Sequence, residues 1–326
     1  MSVKIRVFGR VLYLCMTQTK KNMFVIYLLI IFLLGVIAPV QTSSNTKAQD
    51  YLKSPLVASM FSFLLGTAAL LVLCPLIEGG MPFSADNLSG LPWWAWLGGA
   101  AGVFGITTNI LLFPRLGSMQ TVLMPMVGQI ICGFLIDSFG LFDSPVYPIS
   151  LLRLVGFVLV MVGVFNVVSH DGKHFRDWKT LKWQLLGNLA GAVLAMQPAM
   201  NSRLALGIDS SLYASLYSFA TGALLLLLIC LALNGHRENL PKMFTARRPL
   251  WVWLGGLLGV CIVVGQTYLV DHVGVGLLTI INIFGMLVMS VIIDNFGILG
   301  ANKISITRKK AIGLFLVLLG IVLLNL

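Results

Sequence analysis

Apolar residues run along this chain in long unbroken blocks of about 20, each closed by glycine, proline or charged residues. The blocks predict ten membrane-crossing helices, at roughly 23–45, 54–77, 93–113, 118–137, 151–168, 183–203, 210–233, 250–270, 275–293 and 310–326. Barrel strands would instead alternate over about ten residues, so a helical membrane protein is expected. Residues 1–22 break the pattern. Lys4, Arg6, Arg10, Lys20 and Lys21 interrupt a short apolar stretch, and no small-residue cleavage pattern follows. They read as a basic tail, and Met23, which opens the first clean block, is the expected start of the folded part.

The blocks repeat. A shift of 156 lays GVIAPVQTSSN (35–45) on GAVLAMQPAMN (191–201), and SPLVASMFSFLLG (54–66) on SSLYASLYSFATG (210–222). A shift of 157 lays WLGGAAGV (96–103) on WLGGLLGV (253–260), IDSFG (136–140) on IDNFG (293–297), Gly156 on Gly313 and Gly163 on Gly320. The matches include Gln, Asn, Asp, Trp and Gly, so they are more than shared hydrophobicity. Residues 23–169 and 183–326 then form two units of five spans. An odd number of spans makes the second unit enter the membrane from the opposite side, which predicts two inverted repeats.

Composition agrees: 58% of the 326 residues are hydrophobic and 10% are charged, against about 25% charged in soluble domains. The net charge of +11 does not point to nucleic acid, because the cations sit in short loops between spans. The loops after the odd-numbered spans hold 15 Lys and Arg and those after the even-numbered spans hold 2, so the former are expected in the cytoplasm. The basic tail opposes that orientation. Five cysteines, Cys15, Cys74, Cys132, Cys230 and Cys261, have no CxxC spacing, and the four within spans read as small buried hydrophobes.

No HExxH, GxSxG or P-loop motif is present, and no carboxylates cluster within a span. An enzyme, an ATP-driven pump, a cofactor and a metal site are therefore not expected. Polar side chains inside spans mark a pathway or a helix contact. The repeat pairs Gln41 with Gln197, Asn45 with Asn201, and Asn109 with Gln266. Gln41 and Asn45 are four residues apart and share one helix face, as do Gln197 and Asn201. Uncharged amides offer donors and an acceptor to a polar or zwitterionic solute; the alternative is hydrogen bonding between helices. Gln129 and Asn282 have no amide counterpart and break the symmetry. Asp137 and Asp294 close their spans, and Arg115 and His272 sit at aligned turns. These four read as interfacial charges, capping helices or anchoring them. Pro39, Pro125 and Pro198 are expected to interrupt spans.

WLGGAAGVFGITTNILLFPRLGSMQTVLMPMVGQIICGFLIDSFGLF (96–142) resembles the YdcZ-like branch of the drug/metabolite transporter superfamily, with its Gly-Gln pair and Asp-x-Phe-Gly end. The second unit keeps IDNFG but has Gly285-Met286 in place of Gly128-Gln129 and no arginine at the turn. The resemblance covers about residues 23–326 and implies an EamA-like all-α fold in a fused two-repeat form. It implies a secondary transporter of a small solute in the bacterial inner membrane, monomeric or homodimeric, with proton or sodium coupling left open. The membrane-embedded glutamate of small multidrug transporters has no counterpart in the first span. The competing expectation is a non-transporting assembly or lipid-handling protein.

Overall fold

The computed structural model describes residues 2–80, 90–168, 180–245, 249–298 and 307–324. Nine long helices follow in order among them: α1 (Ser2–Leu52), α2 (Pro55–Glu78), α3 (Gly98–Phe139), α4 (Leu151–Val168), α5 (Leu181–Ile208), α6 (Ser211–Ala232), α7 (Leu254–Val273), α8 (Val275–Phe296) and α9 (Arg308–Leu324). No strand occurs among the described residues. Among the described residues, seven segments are long and apolar enough to cross a membrane: Asn22–Leu52, Pro55–Glu78, Thr121–Phe139, Leu151–Val168, Ser211–Ala232, Leu254–Val273 and Val275–Ile293. The sequence reading counts ten. Of the other three, α5 carries Gln184, Asn188, Gln197, Asn201 and Arg203, and α9 has 17 residues, about 25 Å of helix.

The expected third and fourth spans form one helix of 42 residues. Straight, it would run about 60 Å, twice the bilayer core. It does not run straight. Gly105 packs on Leu194 and Pro125 on Gly191, less than one turn apart along α5, whereas a straight helix would separate Gly105 from Pro125 by about 30 Å. The chain therefore doubles back between them, and α3 has two legs. The aligned helices α7 and α8 separate at Gly274, whose φ of 84° makes the turn. The tryptophans that open these spans lie in the short 3₁₀ segments Trp93–Leu97 and Leu250–Trp253. Contrary to expectation, helix continues through Pro39, Pro125 and Pro198. Packing neighbours and local polar groups make this tolerable in membrane helices, as where the Thr42 hydroxyl donates to Ala38 O at 3.0 Å.

The outside is oily and the inside holds the small and polar residues. Leu29, Leu33, Leu71 and Leu76 are exposed, Leu76 at 75%, as expected of a lipid-facing surface. Glycines line the internal contacts. Gly66 of α2 takes the ring of Phe219, and Gly222 of α6 takes the ring of Phe63. The sequence order is reversed between these two contacts, so α2 and α6 cross antiparallel. The pair α4 and α9 does the same, Gly156 against Gly320 and Gly163 against Gly313.

Polar contacts at helix ends fall into two groups. One joins Ser44 to Trp251, Val252 and Gly255, Ser54 to His236, and Arg115 to Trp183. The other joins Glu78 to Ser210, Asp137 to Val275 and Gly276, Asp143 to Arg203, and Ser202 to Asp271. Each group contains only ends that span alternation puts on one side. Ser54 and Ser210 cap α2 and α6, accepting from Val57 N at 3.2 Å and Tyr213 N at 3.0 Å. Ser54→Ala and Ser210→Ala should each lower stability by about 1 kcal/mol. Each also removes a side-chain partner, His236 Nδ1 at 2.7 Å for Ser54 and Glu78 Oε1 at 2.7 Å for Ser210; thermal unfolding in detergent reads both.

Candidate functional site

The repeated sequence Ser-Phe-x-x-Gly places an aromatic ring and a gap one turn apart on α2 (Ser62, Phe63, Gly66) and again on α6 (Ser218, Phe219, Gly222). Where these helices cross, near the middle of each, Phe63 and Phe219 stack with centroids 5.3 Å apart at 48°. A paired amide face lies on either flank. On α1, Gln41 and Asn45 lie over Gly259 and Gly255 of α7; on α5, Gln197 and Asn201 lie over Gly102 and Gly98 of α3. A methyl group built on Gly102 would sit 3.0 Å from Gln197 Nε2 and 3.4 Å from Phe63 Cζ. One built on Gly259 would sit 2.7 Å from Gln41 Nε2 and 3.5 Å from Phe219 Cζ. The glycines thus let amide and ring share the same helix surface. Residues 156 or 157 apart make equivalent contacts on both flanks.

Burial differs between the flanks. Gln41, Asn45 and Gln197 are half-buried, whereas Asn201 is 1% exposed. Neither Asn201 Nδ2 nor Oδ1 has a hydrogen-bond partner among the described residues, and the same holds for Ser218 Oγ beside it. Ser44, next to Asn45, has its hydroxyl fully engaged: it accepts from Gly255 N at 3.0 Å and lies 3.1 and 3.2 Å from Trp251 O and Val252 O. Position 200, aligned with Ser44, is methionine.

The other sequence candidates lie elsewhere. Gln266 and Gln129 are half-buried on α7 and on the second leg of α3. Asn282 is buried on α8, its backbone carbonyl against Gly35, its Nδ2 3.8 Å from Met286 Sδ and its Oδ1 without a partner among the described residues. The Asn109 and Asp294 side chains lie outside the described residues. Arg115 is exposed and stacks on Trp183 at 5.0 Å. His272 is exposed, its ring against Tyr27 and Tyr268 and its Nδ1 3.0 Å from Tyr268 O. Of the cysteines read as buried, Cys74, Cys132 and Cys230 are buried and Cys261 is exposed.

Asp137 has a defined role. It is 1% exposed and accepts from Val275 N at 2.7 Å and Gly276 N at 2.9 Å, at the first turn of α8. A carboxylate there meets unbonded N–H groups and the positive end of the helix dipole. Tyr147 N donates to Asp137 O, and Arg153 holds the following loop through Tyr147 O and Pro148 O. Burial, and after it the Asp137 charge, push the Tyr147 phenol above its ordinary range.

The architecture and this internal site define a multi-pass helical membrane protein built on a duplicated unit. The family described as "Putative inner membrane exporter, YdcZ" matches residues 26–166 and again 182–323, so the chain belongs to this family and carries its unit twice. The description assigns the family to the inner membrane and to export, not to an enzyme class, and the seven membrane-capable helices agree with a multi-pass protein there. A solved structure described as "Crystal structure of protein" covers 91% of this chain and 94% of its own, at 15% identity and a TM-score of 0.63, a likeness of fold alone. No curated protein matches.

Proposed function

We propose that this protein is a secondary exporter that moves a small polar or amphipathic metabolite by alternating access between two inverted five-helix repeats, residues 23–169 and 183–326, with residues 1–22 as a basic extension. Antiparallel crossings of equivalent helices support the inversion. A two-fold axis along the membrane normal would make equivalent helices parallel, whereas α2 crosses α6 antiparallel, as α4 does α9. The observation that carries the transport reading is the placement of two amide pairs on glycine faces either side of the Phe63–Phe219 crossing. Uncharged donors and acceptors beside an aromatic pair, near the middle of the helices and at the repeat interface, suit a solute that exchanges water for amides. Rocking of one repeat against the other would expose one flank at a time.

The double variant Gln41→Leu with Gln197→Leu tests this. It should remain folded, because among the described residues neither amide makes a hydrogen bond that fixes one helix to another. It should lose solute-dependent thermal stabilisation across a panel of amino acids, nucleobases, sugars, polyamines and cationic drugs. A ligand at 100 times its Kd stabilises by about 2.7 kcal/mol, so the loss is readable. Wild-type shifts retained by the folded double variant would remove these amides from the pathway.

A further inference from the structure

Asn201 and Ser218 form an unmet hydrogen-bonding group inside the molecule. They are 1% and 2% exposed, and Asn201 Nδ2, Asn201 Oδ1 and Ser218 Oγ have no partner among the described residues. They converge over Gly98: a methyl group there would overlap the Asn201 carboxamide and lie 3.3 Å from Ser218 Oγ. One turn along α3, Gly102 brings in Gln197 Nε2 and the edge of Phe63. Buried amides are almost always bonded, since leaving one unmet is costly. The repeat-related amide differs: Asn45, aligned with Asn201, is half-buried. The fully buried, unpartnered carboxamide therefore lies on one flank of a pseudo-symmetric site, as an asymmetric ligand requires.

The chemistry these groups offer is specific. One carboxamide offers an acceptor and a donor side by side in a plane, a hydroxyl adds one of either, and an aromatic edge lies a turn away. The three atoms nearest a carbon built on Gly98, and the three nearest one on Gly102, belong to Asn201, Ser218, Gln197 and Phe63, all uncharged. An ionic group beside them would exchange its hydration for uncharged partners. A planar group carrying adjacent C=O and N–H would instead pair bidentately with the carboxamide, as Asn pairs with a base edge. We infer that Asn201 and Ser218 bind the uncharged amide edge of the exported solute, so that the substrate class is small planar amides, including carboxamides and pyrimidine-type rings. This rests on the export reading above.

The test uses the full chain in detergent, with uracil and nicotinamide as probes and 1,3-dimethyluracil and choline as controls. Uracil or nicotinamide should raise the melting temperature with dose. Dimethyluracil, the same ring without N–H, should not. Asn201→Leu should abolish the shift, and Ser218→Ala should weaken apparent affinity about fivefold to tenfold. Without ligand, Asn201→Leu should melt at or above the wild type, because it removes unmet polar atoms while keeping the same branched side-chain shape. Unliganded melting well below wild type would mean that the fold itself bonds the carboxamide, and would overturn the inference. So would equal shifts from uracil and dimethyluracil, no shift from either amide probe, or shifts unchanged in the variants. If Asn201→Leu does not fold, an unchanged shift in Ser218→Ala overturns it alone. A choline shift that survives Asn201→Leu would leave the export reading standing while sinking this one.

Discussion

Asp137→Ala is expected to destabilise the folded chain by about 3 kcal/mol, read as a lowered melting temperature in detergent. The carboxylate accepts from two N–H groups, at 2.7 and 2.9 Å, across 138 and 139 residues of sequence. Hydrogen bonds to a charged group are worth about 1.5–3 kcal/mol each, and the favourable placement at a helix N-terminus adds up to about 2 kcal/mol; the bonds act on one group, so the contributions do not sum. Removing the carboxylate also strands two buried donors. Asp137→Asn should lose about half as much. It keeps one acceptor oxygen, but its Nδ2 turns a donor toward a donor. An unchanged melting temperature for Asp137→Ala would mean that this contact does not join the two halves of the chain in the folded protein.

The contact also explains why the repeat is imperfect here. Asp137 fits because Gly274 and Gly276 leave room: a methyl group on either would lie 2.9 or 2.8 Å from Asp137 Oδ2. The position aligned with Gly276 is Met119. The sequence marks Asp137 as a span-ending charge that caps or anchors a helix. It does not reveal the partner, because backbone N–H groups are present at every non-proline position and leave no trace in the side-chain pattern.

Other features were more legible. Hydrophobic blocks are long enough to be read one by one, and the 156-residue shift pairs Gln41 with Gln197 before any contact is known. The same alignment carries Phe63 and Phe219, and Ser62 and Ser218, in plain view. In an apolar span, however, phenylalanine and serine look like packing, and only the crossing of α2 with α6 gives them a place beside the amides. The two legs of α3 were expected as separate spans; both fall within the helical segment Gly98–Phe139, whereas in the second repeat Gly274, with a φ of 84°, parts α7 from α8.

The second large effect is expected at the glycines between α4 and α9. These helices touch backbone to backbone. A methyl group on Gly163 would lie 2.7 Å from Gly313 O and 2.8 Å from Val317 N, and one on Gly320 would lie 2.7 Å from Gly156 O. Backbone carbonyls cannot rotate away as a side chain would, so Gly163→Leu must push the helices apart. The cost should be about 3 kcal/mol or more, at the upper end of overpacking, because close contact between small residues is what holds apolar helices together in lipid. Gly320→Leu should cost nearly the same, since Gly320 occupies the place of Gly163 in the second unit and meets Gly156 as Gly163 meets Gly313. Gly235→Ala is the control, with nothing within 4 Å of the added carbon, and should stay within about 0.5 kcal/mol of wild type. Melting temperatures of the three variants decide between two pictures. If both leucine variants fall together and the control does not, the two units are fastened through one antiparallel glycine contact used twice. If Gly163→Leu falls alone, the likeness of the two units ends at this helix pair, and the two halves are not free to exchange roles during transport.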